Sequence, residues 1–318
     1  MCNKKIKLSD NPFDYWNKPI QLNVNYNKKN SVFSLISTSG NQNIKSINNG
    51  SGFSLGPQSN RAYITHNNKI HDWNDATKSF ARFNLLEQSI QFDINPIKTA
   101  TGQNVSIYLT PMTGNKDDNY CDIHKSICLE LDLIEANCNG IQLTVHSPTD
   151  VSKDGKCGSD GCYVSAIQKP GICSLLNDNS GWITVKTTFD KDGTMNIYLN
   201  NTLYFEGKQI LTANAKYDIV NIMKSTGVVV IASLWSGNME WLNKCKNSCS
   251  LVPVPDPKSQ ETAVSYKNFI ISGGLKGDSP SPSPSPNSIP SPKNNTIAII
   301  SIILSVLIIF YAIYLLII

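Results

Sequence analysis

The chain predicts an all-β sandwich of the jelly-roll type, followed by a proline-rich linker and a C-terminal transmembrane helix. Three observations predict it. Short runs of alternating polarity recur, such as Ile183–Phe189 and Met195–Leu199, and no long helical periodicity appears before the C-terminus. Turn residues separate the runs: Asp190–Gly193 reads as a hairpin turn, and Leu199–Leu203, with Asn200 and Asn201 at its centre, as another. Composition is globular, 40% hydrophobic and 16% charged over 318 residues, a length that suits one large all-β domain.

The elements follow in order. Residues 1–20 form a polar tail: Met1–Trp16 lacks the apolar core of a secretory signal, and Lys4–Lys7 is a solvated basic cluster. Residues 21–273 carry the strand-like runs. From Gly274 the character changes. The Ser-Pro repeats of Asp278–Pro286 cannot build a core, so 274–295 is expected to be an extended spacer. Thr296–Ile318 carries no charge and is long enough to span a bilayer. A single-pass anchor is the expectation there, with a cleaved glycosylphosphatidylinositol signal as the weaker alternative. The net charge of +4, with its lysines scattered, argues against a nucleic-acid partner.

Cysteines point to an oxidised domain. Setting Cys2 aside leaves eight of the nine, several in close sequence pairs: Cys121/Cys128, Cys157/Cys162 and Cys245/Cys249. Zinc is the rival reading, but the spacings are not Cys-x-x-Cys and no paired His follows, so neither metal nor cofactor is expected. Asn49, Asn104 and Asn200 head Asn-x-Ser/Thr sequons in an Asn-rich chain.

The most informative segment is Cys128–Asn137, which reads Cys-Leu-Glu-Leu-Asp-Leu-Ile-Glu-Ala-Asn. In a strand Glu130 and Asp132 share one face. One extra residue, taken up by a bulge, returns Glu135 to that face. Three carboxyls on one wall repel one another, and a site that keeps one protonated and another ionised has what acid/base work on a glycosidic bond requires. The plainer reading is a strand edge blunted with charge. The flanks decide between them.

Those flanks resemble glycoside hydrolase family 7, the family of fungal cellobiohydrolases and endoglucanases of the cellobiohydrolase I type. Its Glu-Met-Asp-Ile-Trp-Glu-Ala-Asn signature appears here as Glu130–Asn137, with Ile134 in place of the tryptophan, a packing change. Ordered similarity extends through Phe83–Ile94, Ile107–Met112, Tyr120–Asp122, Leu143–Pro148, Cys157–Cys162, Val229–Trp235 with Trp241, Lys246–Ser250 and Val264–Ile270. The resemblance implies a concanavalin-like sandwich with a concave glycan-binding face. It implies Glu130 as nucleophile, Glu135 as acid/base and Asp132 as the group that tunes Glu130. It places His146 beside the acid/base, and Tyr108 and Asp122 at the sugar being cleaved. Trp235 and Trp241 would stack on sugars on the leaving-group side. Lys246 stands where the family has an arginine, so a point charge replaces a bidentate fork. His66, His71, His124 and Trp73 read as structural or surface residues.

The globular part is much shorter than the fungal domains, and the missing residues fall in loops that roof the family's cleft. An open groove and internal cutting are therefore expected. The implied partner is a linear β-glucan such as cellulose, and the implied setting is a membrane-anchored domain in an oxidising, extracellular or virion-surface environment. Two functions are compatible with the sequence: a retaining β-1,4-glucan hydrolase, or a catalytically weak surface protein that binds glycans.

Overall fold

The computed structural model describes residues 20–37, 44–56, 60–66, 78–114, 120–147, 157–158, 160–177, 180–207, 217–245, 264–276 and 283–284. Most of the expected tail, Lys246, Cys249, His71, Trp73, most of the linker and the Thr296–Ile318 segment lie outside them. Among the described residues no helix is long and apolar enough to cross a membrane. The sandwich belongs to the unit Met1–Ser283.

In chain order the strands are β1 (Ile20–Tyr26), β2 (Lys29–Ser37), β3 (Ile44–Ile47), β4 (Gly52–Leu55), β5 (Asn60–Thr65), β6 (Arg82–Asn84), β7 (Gln88–Asn95), β8 (Gln103–Thr110), β9 (Glu130–Asn137), β10 (Gly140–His146), β11 (Cys162–Ser165), β12 (Ile183–Phe189), β13 (Met195–Leu199), β14 (Thr202–Glu206), β15 (Val228–Ser236), β16 (Val264–Ile271) and β17 (Gly274–Leu275). A short helix, α1 (Ile219–Ser225), is capped by the Asp218 side chain, which accepts from the Asn221 N–H at 2.8 Å.

Pairing divides the strands into two layers. The inner layer runs β1-β2-β5-β15-β8-β9-β10-β11, and each neighbouring pair is antiparallel. The outer layer runs β3-β4-β16-β7-β12-β13-β14, again antiparallel. A short parallel bridge, Asn25↔Ile270 and Tyr26↔Ile271, joins them at one edge. The all-β expectation holds, and both predicted turns are present. Gly193 takes φ +83°, and Asn200 and Asn201 are both left-handed, as a two-residue hairpin whose twist matches its strands requires.

The two layers bury different patterns. Outer strands β12 and β13 alternate buried with half-exposed residues, because only one face meets the core. Strand β8 also alternates apolar Val105, Ile107 and Leu109 with polar or amphipathic Asn104, Ser106, Tyr108 and Thr110, yet all eight of its residues are buried. Its second face is the floor of a cleft rather than open surface. Between the layers Phe53, Tyr266, Phe269 and Phe92 stack at centroid distances of 5.0–5.8 Å. The Tyr266 hydroxyl crosses to the inner layer and donates to the Ser106 carbonyl at 3.3 Å, beneath the cleft.

The end of the β9–β10 hairpin is a docking point for the segment after β15. Asn139 O accepts from the Cys245 N–H at 2.9 Å, and Asn137 Nδ2 donates to Asn243 Oδ1 at 2.9 Å. A Cβ on Gly140 would sit 1.8 Å from the Leu242 carbonyl oxygen, so the close approach needs glycine here. Gly140→Ala should therefore push the Trp241–Cys245 segment off the hairpin and cost about 1–3 kcal/mol, the usual range for overpacking. Denaturant unfolding checks the loss, and quenching of Trp fluorescence checks the displacement. Unchanged stability would mean that the docking is not tight.

Candidate active site

Register on both sides of β9 shows how the acids come together. Against β8, Tyr108 faces Asp132 and Ile107 faces Ile134, which leaves Leu133 without an opposite number. Against β10, Thr144 faces Asp132 and Gln142 faces Glu135, so Leu143 spans two residues. This is the bulge expected from the spacing. Leu133 and Ile134 both enter the core, fully buried, and Glu135 returns to the face of Glu130 and Asp132.

All three acids line one cleft of about 790 Å³ on the face of the inner layer that carries Ser106 and Tyr108. Across its floor runs a register-matched row of polar residues, Arg61, Ser233, Ser106, Glu135, Gln142 and Ser165, one from each of β5, β15, β8, β9, β10 and β11. Of the site residues read from the sequence, the cleft brings together Glu130, Asp132, Glu135, Tyr108, Asp122, His146, Trp235 and Trp241. Lys246 lies outside the described residues; Lys244 lines the cleft.

Each acid has its own environment. Burial, then the neighbouring Asp132 charge, pushes the Glu130 carboxyl well above the usual carboxylate range, while the Ile123 N–H pulls it back through a 3.0 Å bond to Oε2. Asp132 is also held well above its ordinary value, by burial first and then by the charges of Glu135 and Asp122. Its Oδ2 lies 3.3 Å from His146 Nε2, across the strand pair. Glu135 is raised by burial, offset by donors: Thr144 Oγ1 at 2.8 Å to Oε2 and Asn104 Nδ2 at 2.9 Å to Oε1. Three carboxyls so placed hold their protons more tightly than free carboxyls do, and the fixed donors bias which of them ionises.

Two short covalent loops brace this group. Cys121–Cys128 closes the loop that presents the Ile123 N–H to Glu130, and within it Asp122 Oδ1 accepts from the N–H groups of His124 (2.7 Å) and Lys125. Asp122, expected at the sugar, therefore also buckles its own loop. Cys157–Cys162 closes the other, where Gly161, at φ +75°, packs so tightly on His146 that a Cβ would lie 2.8 Å from the ring. The third described disulfide joins Cys173 to Cys245 across 72 residues. This corrects the close pairing of Cys245 with Cys249 suggested by sequence proximity: folding brings the 3-10 segment that holds Cys173 to the segment docked on the β9–β10 hairpin.

A second buried cluster bounds one flank of the cleft. Phe80, Met112 and Tyr120 pack with Ile36, Tyr63, Tyr108, Val229 and Ile231 in that cluster. Tyr63 stacks on Phe80 at 5.3 Å, and the Tyr108 and Tyr120 hydroxyls meet at 3.0 Å. Tyr108 is only 3% exposed, so it is part of a wall as much as of a floor. The residues that sequence reasoning missed are Arg61, whose guanidinium lies 4.3 Å from the Tyr120 ring centroid, Tyr120 itself, Asn104, Gln142, Tyr163, and His124, which had read as structural or surface. Asn104 heads a sequon yet is fully buried with its amide on Glu135, so it is no glycosylation site. The alternation of β8 and β15 was the available signal for Asn104, because it places that residue on the acids' side of the sheet.

No protein-family model and no curated protein sequence matches the chain. Solved structures do. An endoglucanase I complexed with cellobiose is 15% identical, with 81% of this chain and 97% of that chain covered and a TM-score of 0.48. A GH7 family cellobiohydrolase from Daphnia pulex is 14% identical, covering 80% and 97%, with a TM-score of 0.49. The Humicola insolens endocellulase EGI is 17% identical, covering 73% and 78%, with a TM-score of 0.45.

The raised acids tie stability to pH. A carboxyl whose folded value lies above its unfolded one stabilises fully below the unfolded value, near 4, and loses that contribution as pH rises through the folded value. Melting temperature should therefore fall as pH rises from about 4 towards neutrality, and Asp132→Asn should flatten the slope. Calorimetry across that range checks this; parallel slopes for both proteins would sink it.

Proposed function

We propose that the protein is a membrane-tethered retaining hydrolase of β-1,4-linked glucan, with Glu130 as nucleophile and Glu135 as acid/base. The observation that carries the reading is the β9 bulge, which sets three carboxyls, Asp132 buried and Glu130 and Glu135 half-buried, on one wall of a glycan-sized cleft, each with a different donor. A structural sheet gains nothing from crowding three mutually repelling acids onto one face. Acid/base chemistry does, because it needs one carboxyl charged and one protonated at the same pH.

In the double-displacement route, Glu130 attacks the anomeric carbon while Glu135 gives its proton to the departing oxygen. Ionised Glu130 is favoured by the Ile123 N–H, and a proton on Asp132 removes one repelling charge beside it. Glu135 then takes a proton from water as the water oxygen bonds to the anomeric carbon and displaces Glu130, so the configuration is retained. His146, set against Asp132, positions that carboxyl between the other two. Trp235, 40% exposed at the cleft, offers an apolar face to a sugar ring, and Trp241 lines the cleft with it. Internal cutting remains the reading for the mode of action, with the aromatic wall bounding one flank of the groove. The tether rests on the uncharged Thr296–Ile318 stretch behind a Ser-Pro spacer.

Incubation with cello-oligosaccharides and soluble cellulose should release products whose fresh reducing ends are β-anomers by NMR. Glu130→Gln should lower turnover at least about a thousandfold with folding intact. Binding without cleavage in the parent would favour the glycan-binding alternative, and α-anomers would exclude retention. Separately, the full chain should sediment with membranes and resist salt extraction, and deletion of 296–318 should release it. Sedimentation unchanged by the deletion would remove the tether from the proposal.

A further inference from the structure

Large apolar side chains that stay exposed in a folded domain are informative when they cluster. Among the described residues these are Ile127, Tyr163, Ile167, Leu203 and Trp235. Three of them, Tyr163, Ile167 and Trp235, line the same cleft. Trp235 lies on β15, separated from β9 by β8, and Tyr163 lies on β11, separated from β9 by β10. With strands spaced about 4.8 Å apart, each is displaced from the acid strand by about 10 Å, in opposite directions.

The Tyr163 side is held outward rather than left loose. Thr144, opposite Tyr163, is itself opposite Asp132, so the ring sits in register with the acids. Cys162, bonded to Cys157, immediately precedes it. Beyond it a tight turn is tied to Ser165: its Oγ and N–H both donate to Gln168 Oε1 at 2.9 Å, and its carbonyl accepts from Lys169 N–H at 2.9 Å. That turn projects Ile167, 64% exposed, beside Tyr163, 44% exposed. Solvent-facing apolar surface fixed in this way costs free energy unless something covers it.

We infer that Tyr163 and Ile167 form a second sugar-stacking platform, on the opposite side of the acids from Trp235. The cleft then takes a linear glycan laid across the strands, with one pyranose ring on each platform and the scissile bond above β9 between them. This rests on the glucan-hydrolase reading and deepens it, because it makes chain length a determinant of affinity.

Michaelis constants for cellopentaose and for an aryl cellobioside separate the two readings. Tyr163→Ala should raise KM for cellopentaose about tenfold while kcat stays within about twofold, since the ring does not touch the reacting atoms. Tyr163→Phe should restore the parent KM, because the stacking face and not the hydroxyl is used. Ile167→Ser should shift KM the same way by less, and its melting temperature together with that of Tyr163→Ala shows that both are folded. In calorimetric titration with cellopentaose, the double variant Glu130→Gln/Tyr163→Ala should bind about tenfold more weakly than Glu130→Gln alone. A parent that cleaves while Tyr163→Ala matches it in KM and affinity overturns the platform and leaves the hydrolase standing. A parent that neither cleaves nor binds either glucan overturns both.

Discussion

A strand places side chains on one face at every second residue, so Glu135 would ordinarily point away from Glu130 and Asp132. The constraint on which the site depends is the insertion of one extra residue at Leu133–Ile134. Both of those side chains are fully buried, so the core holds the bulge open from behind. Around it, β8 and β10 place their own alternate residues opposite the acids: Asn104, Ser106 and Tyr108 on one side, Gln142, Thr144 and His146 on the other. A slip of one residue would send the acids into the core and the leucines into the cleft.

Burial then sets the chemistry. Each carboxyl has lost water, so the charged forms are disfavoured and small local differences decide which acid ionises. Those differences come from fixed donors rather than mobile lysines: a main-chain N–H on Glu130, a hydroxyl and an amide on Glu135, an imidazole on Asp132. Two of the groups that set them are held by short disulfide loops. The Cys121–Cys128 loop carries the Ile123 N–H, and the Cys157–Cys162 loop packs Gly161 onto His146. In a sheet whose strands cannot close on the site from above, such loops supply the missing rigidity.

The cleft is asymmetric for a related reason. One flank is bounded by an aromatic cluster with Tyr63, Phe80 and Tyr120, and the polar floor runs beside it. The family resemblance in the sequence implied only an open groove. It carried no information on how short segments such as 111–114 and 120–128 would lie down on the sheet.

Local information was enough for the layers and turns. Alternation marked β12 and β13, and Gly193, Asn200 and Asn201 marked the hairpins, because strand period and left-handed turns depend on a few neighbouring residues. The Glu130–Glu135 spacing, read with its flanks, also announced the bulge, since one extra residue returns Glu135 to the face of the other two acids. Contacts between distant segments were not legible. Arg61 meeting Tyr120, Cys173 meeting Cys245, Asn104 donating to Glu135, and Tyr163 standing opposite Trp235 across the acids all depend on strand order in the inner layer. By itself the sequence determined which residues share a strand face and where the chain turns. Only the tertiary structure decided which faces meet, because pairing partners are selected by the packing of the whole core and not by any local run of residues.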